Sequence, residues 1–203
     1  MTNYDKIKNY FEQYFATNNI YLQIETKLVD ASYNDKEERY LYSGKRNLAV
    51  ISMDNVANDG YRKLKNALGD PVNTVDALLV DRDNEWYFIE FKDCKISSKK
   101  DNIEKKGTYN FLMLLDILKD DNYKMWEGYS SAFEFARNKI TYIVVCSSEK
   151  DPYSYDQIRS ADIMGVKYTP PCLQKFKDYF FKDAYAYTIE YFENRFVNSF
   201  TYA

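Results

Sequence analysis

The chain contains no histidine. That excludes imidazole acid–base catalysis, Ser–His and Cys–His nucleophilic pairs, and every zinc site that depends on a His ligand. Cysteine is also scarce. Cys94, Cys146 and Cys172 lie far apart and form no CxxC pair, so the sequence signature of a zinc or dithiol redox site is missing. Reduced thiols in a cytoplasmic protein are expected. Six Gly and four Pro in 203 residues leave little material for long flexible linkers. No apolar run reaches the length of a membrane span. The amino-terminal MTNYDKIKNYFEQYF is charged and amphipathic and lacks the apolar core of a signal peptide. No membrane partner is expected. A formal net charge of -3 gives no global attraction to nucleic acid, so a nucleic-acid surface has to be a local patch.

Aromatic residues are abundant. They make up 18% of the chain, with 21 Tyr and 13 Phe, and they supply large buried area. With 45% hydrophobic and 29% charged residues, the composition is that of one globular domain spanning residues 1–203.

Along the chain, Ile7, Tyr10, Phe11, Tyr14 and Phe15 recur at helical spacing over residues 3–17. IYLQIETKLV alternates like a half-exposed strand. DASYNDKEER reads as a loop and YLYSGKRNLAVISM as extended chain with a Ser-Gly turn. Residues 54–68 resemble a helix with Gly60 inside it. Two strands follow at 74–81 and 85–93, then helices within 102–119 and 128–138. KITYIVVCSS reads as a buried strand. YDQIRSADIM and PCLQKFKDYFFKD read as helices, and the aromatic tail through Tyr185, Tyr187, Tyr191, Phe192 and Phe196 is also read as helix. The order predicts a mixed α/β sheet with helices packed on it.

The pair of strands VDALLVDRDNEWYFIEFKD carries the densest chemistry. Side chains alternate along a strand, so Trp86, Phe88, Glu90 and Lys92 share one face and Tyr87, Ile89 and Phe91 the other. The placement of Asp76 depends on the turn. A two-residue loop at Asp83-Asn84 sets Asp76 opposite Phe91 and away from Glu90. A three-residue loop, Arg82-Asp83-Asn84, sets Asp76 opposite Glu90 on the same face. A β-bulge can also restore that arrangement. In the second register two carboxylates converge beside an ammonium, and two like charges so close need a cation. Oxygen-only ligation suits Mg²⁺ or Mn²⁺, with the backbone carbonyl of Phe91 as a further ligand. Lys92 is placed to orient or help deprotonate a water, or to offset charge on a phosphate.

Asp76, a spacer, and then Glu90-Phe91-Lys92, flanked by VDALLV and WYFIEFK, resembles the PD-(D/E)XK nuclease superfamily. The resemblance covers residues 54–148. It implies a restriction endonuclease-like core, with Asp76 and Glu90 as metal-binding acids, Lys92 as the catalytic lysine, and Mg²⁺-dependent hydrolysis of nucleic acid, DNA before RNA. Many members carry a further acid on the helix before the hairpin, and Asp54, Asp59 and the earlier Glu12 are the candidates here.

Other features are weaker. Residues 92–106 hold six lysines and three acids, and Lys95, Lys99 and Lys100 are candidate phosphate contacts. An ordinary solvated helix start explains the same run. Tyr109 and Asn110 are candidates to face a substrate, against the plainer expectation that Tyr109 packs on the sheet. The acidic balance and aromatic richness also fit a different class: a catalytically inactive protein on the same scaffold, an immunity-like or accessory module that binds a protein partner. A homodimer is compatible with either reading.

Overall fold

In the computed structural model, which describes residues 1–119 and 127–202, one six-stranded mixed sheet carries helices on both faces. The chain opens with α1 (Asn3–Ala16). Thr2 accepts from the Asp5 N–H at 3.0 Å while the Asp5 carboxylate accepts back from the Thr2 N–H at 3.1 Å, a reciprocal cap that fixes where the helix starts. Then come β1 (Glu25–Lys27), α2 (Leu28–Ala31), and a small ribbon of β2 (Tyr33–Asn34) and β3 (Arg39–Tyr40). β4 (Ala49–Ser52) leads into α3 (Met53–Asn55), a π-helical stretch (Val56–Tyr61) and α4 (Arg62–Leu64). β5 (Ala77–Val80) and β6 (Trp86–Lys92) form the central hairpin, followed by α5 (Lys100–Ile117). The remainder is α6 (Ala132–Lys139), β7 (Ile140–Cys146), α7 (Pro152–Ile163), α8 (Pro171–Lys175) with a π-helical extension (Phe176–Phe180), β8 (Asp183–Thr188) and α9 (Ile189–Arg195).

The strand order is β1-β4-β5-β6-β7-β8. β1 to β6 pair antiparallel, whereas β6, β7 and β8 run parallel. All seven residues of β7 are buried, as a central strand covered on both faces requires. Trp86 packs edge-on against Phe135 of α6, and Phe88 against Phe181 just past the π-helical extension of α8. On the opposite face Phe91 meets Phe192 of α9, and Tyr87 meets Phe196. Full burial of an aromatic such as Phe88 contributes roughly 1.5–3 kcal/mol.

The position of α5 follows from one residue. A Cβ at Gly107 would lie 2.7 Å from the Tyr142 ring and 2.8 Å from Phe176, so the helix approaches the sheet more closely than any side chain there allows. Tyr142 fastens the same helix by donating to the Ile103 carbonyl at 3.0 Å.

Three expectations change. Of residues 20–29 only Glu25–Lys27 forms a ladder, although Ile24 still accepts from the Ser52 N–H at 2.8 Å. The loop at 30–39 contains the β2–β3 ribbon, paired Tyr33 to Tyr40. The tail expected as helix begins as β8, parallel to β7. In DAYAYT, Ala184 and Ala186 are small enough to sit buried in the sheet while the tyrosines take the other face. Helix resumes only at Thr188, whose hydroxyl caps α9.

Candidate active site

The hairpin turn settles the register. The Asp81 N–H donates to the Glu85 carbonyl at 3.0 Å, leaving Arg82, Asp83 and Asn84 as a three-residue loop. The Asp81 carboxylate accepts from the Asp83 and Glu85 N–H groups at 2.8 and 3.0 Å and from the Tyr87 hydroxyl at 2.9 Å. Asn84 takes the left-handed φ of 57° that closes such a loop, and its side chain accepts from the Trp86 indole at 3.0 Å. The ladder then pairs Val80 with Trp86 and runs to Ala77 with Ile89. One step further sets Asp76 beside Glu90, the favourable of the two registers.

Glu90 is fully buried, and Asp76 is half-buried where β5 begins. Asp76 accepts from the Phe91 N–H at 2.6 Å through one oxygen, which turns that backbone edge of β6, carbonyl included, toward the acid. Lys92 donates to Glu90 and, at 2.9 Å, to Asn102 of α5. The sequence pattern did not single out Lys106. Its ammonium lies 2.9 Å from Asp76 and 2.9 and 3.0 Å from the two Glu90 oxygens, bridging both acids. The only signal for it was its place in a lysine-rich run, four residues before Asn110 on the same helix.

These charges shift one another. Burial first, and then the neighbouring Asp76 charge, push the Glu90 carboxyl up to about 7, against the opposing pull of Lys106 and Lys92. Burial works against the Lys106 ammonium, but the Asp76 and Glu90 charges outweigh it and raise this group well above the ordinary lysine value. Asp54 enters the same cleft from α3. Its surface is open to solvent, yet enclosure by the cleft walls and the Asp76 charge still raise its carboxyl, while Thr74 donates to it at 3.1 Å. Of the three upstream acids, Asp54 lines the cleft. Asp59 is paired with Lys63 at 3.3 Å, and Glu12 lies outside the lining.

The cleft encloses about 610 Å³. Its far wall is the β2–β3 ribbon, which Arg39 ties to Asp93 with two hydrogen bonds of 3.0 and 2.8 Å. Lys150 adds a bond to Asp93 at 3.1 Å and an ion pair to Glu37 at 3.3 Å. Burial acts to raise the Asp93 carboxyl, but the hydrogen bonds from Arg39 and Lys150 outweigh it and hold the group below its ordinary value. Six carboxylates line this cleft against four ammonium groups, and Arg39 and Lys150 bring two further cations to its Asp93 and Glu37, so acids and cations are equal in number. Lys99 lines it as expected, whereas Lys95 and Lys100 are exposed outside the lining. Tyr109 is not packed on the sheet but is 41% exposed beside a separate hollow near Pro71. Asn110 is buried, and neither side-chain atom has a partner among the described residues. A second concavity of about 590 Å³, near Ser148 and Glu190, lacks a converging charge group, since Arg195 is engaged by Asp162 at 2.8 Å.

Among the described residues no group of three or more His, Cys, Asp or Glu is placed to hold a metal ion. The donors that do converge are two carboxylates, Asp76 and Glu90, both hard oxygen ligands beside the turned backbone edge of Phe91. That set fits Mg²⁺ or Mn²⁺, which are held by one or two protein carboxylates together with water and substrate phosphate. No helix among the described residues is long and apolar enough to cross a membrane. No protein-family model, curated protein or solved structure matches the chain.

Proposed function

We propose that the protein is a divalent-metal-dependent nuclease of restriction endonuclease-like fold, related to the PD-(D/E)XK superfamily. The observation that carries this reading is the convergence of Asp76 and Glu90 on one sheet face, with Lys92 attached, in one cleft. Two facing carboxylates in a fold cost stability unless a cation serves them.

Asp76 and Glu90 would hold the cation, Mg²⁺ or Mn²⁺, with the Phe91 carbonyl as a candidate third protein oxygen. When bound, such an ion polarises a phosphoryl oxygen and lowers the pKa of a water. Asn102 holds the Lys92 side chain from α5, which keeps its ammonium at the carboxylate rather than free in solution. From there Lys92 orients the attacking water or offsets charge building on the phosphate. Lys99 at the cleft wall is a contact for the substrate backbone, as is usual for lysines on phosphate. With no histidine in the chain, proton transfer has to use carboxylate, Lys, Tyr, Cys or Ser side chains, and at this site Lys92 and the acids are the candidates.

The test is cleavage of end-labelled DNA and RNA with Mg²⁺, Mn²⁺ or chelator. Metal-dependent cleavage is expected. Glu90→Gln is expected to abolish it, and Lys92→Ala to slow it by about 10²–10⁴-fold while the protein stays folded. Cleavage unaffected by both substitutions, or no cleavage of any substrate, overturns the proposal. One observation favours the binding-protein reading: the two acids are already neutralised by Lys92 and Lys106. That reading expects tolerance of Lys92→Ala and no dependence on divalent ions.

A further inference from the structure

The position between Asp76 and Glu90 is taken by a residue of the chain itself. Lys106 reaches it from α5 and contacts one oxygen of Asp76 and both of Glu90 at 2.9–3.0 Å. Its side chain is only 16% exposed, so this is not a loose surface pair. The helix that carries it is set close to the sheet by Gly107, the next residue, and by the Tyr142 bond to Ile103. Lys92 already serves one Glu90 oxygen from the neighbouring position on β6. The two acids therefore have two ammonium groups, one in the strand motif and one outside it.

We infer that Lys106 is a resident counter-ion, built to occupy the divalent-cation position until the ion arrives and then to yield it. This rests on the part of the proposed function that makes Asp76 and Glu90 metal ligands. The physical reason is the cost of the empty state. A fully buried Glu90 beside Asp76 is strained without positive charge, and an ammonium on a flexible stem supplies that charge reversibly. Chemically, the exchange replaces three N–H···O contacts of Lys106 with two or more metal–oxygen bonds, and no covalent bond changes. Once displaced, the ammonium stays on α5 at the wall of a cleft that Lys99 also lines, where an anionic substrate provides its new partner. The apparent affinity for the ion is set by the fraction of molecules in which Lys106 has left.

The test is calorimetric titration of Mn²⁺ alone into the wild-type chain, Lys106→Met and Lys106→Gln, with circular dichroism to confirm the fold. The second neutral variant serves if the first does not fold. Removing the competitor is expected to tighten Mn²⁺ binding by about tenfold or more, the result for a position occupied by Lys106 nine-tenths of the time. Binding that is unchanged or weaker in the neutral variants overturns the inference. If wild type cleaves nucleic acid but neutral variants gain no affinity, the inference fails and the nuclease reading stands. If neutral variants gain affinity but no protein cleaves, the inference stands and the nuclease reading fails. If none of the three binds Mn²⁺, both fail.

Discussion

Glu90 is the residue on which the site depends, because it is a fully buried acid in contact with two ammonium groups. Its carboxyl is raised from 4.5 to about 7, first by burial and then by Asp76. With the folded value above the unfolded one, the folded state binds the extra proton between these limits. Glu90's contribution to stability is therefore fully present below about pH 4.5 and is lost as pH rises through about 7. Urea unfolding across that window is expected to show stability falling with pH for this reason, and Glu90→Gln is expected to flatten the slope. An unchanged slope in the variant places the effect elsewhere. At this scale the shared face of Glu90 and Lys92 was legible in the sequence because strand alternation fixes it, whereas the side of Asp76 stayed open between two turn registers. Lys106 was not, because its meeting with the acids depends on how deeply a helix is seated, which no local pattern encodes. Asp54 was one of three candidates, and only the fold distinguishes it from Asp59 and Glu12.

Between elements, the approach of α5 to the sheet decides where Lys106 and Asn102 point. Gly107→Ala forces its new methyl against Tyr142 and Phe176. A loss of roughly 1–3 kcal/mol is expected, together with, on the nuclease reading, weaker cleavage as Asn102 moves off Lys92. Stability and activity both at wild-type level would show that the helix is not held where the contacts place it. The ribbon is held in a different way. Arg39→Ala leaves a nearly buried Asp93 with Lys150 alone, and loosens one wall of the cleft without touching Asp76 or Glu90. The expected kinetic result is a raised KM with kcat largely kept. A fall in kcat at constant KM would mean that the ribbon acts on the chemistry itself. The hairpin turn shows where sequence reading stopped. Asp-Asn suits either loop length, and the choice falls to the Asp81 carboxylate, which collects two backbone N–H groups and the Tyr87 hydroxyl. The strand at Asp183–Thr188 escaped notice because the aromatic tail fits no single period, with Tyr185 and Tyr187 two apart but Phe192 and Phe196 four apart, and Ala184 and Ala186 give no β-branched signal.

For the whole molecule, a mixed sheet flanked by helices follows from the order of periodic segments, and the two most apolar strands, β5 and β7, were legible from their runs alone, whereas the sixth strand, β8, was read as helix. The edge strand β1 was read as a strand but over too long a stretch, and the β2–β3 ribbon was missed, since each strand is only two or three residues long. The net charge of -3 gives the surface no global attraction to polyanions. The most direct measurement is calorimetric titration of Mn²⁺ into the wild-type chain and Glu90→Gln under identical conditions. The account predicts one saturable site in the wild type that is lost in Glu90→Gln, with the variant still folded. No saturable binding by the wild type, or equal binding by both proteins, would contradict it and leave Asp76, Glu90, Lys92 and Lys106 as an ion-pair network that holds the sheet to α5.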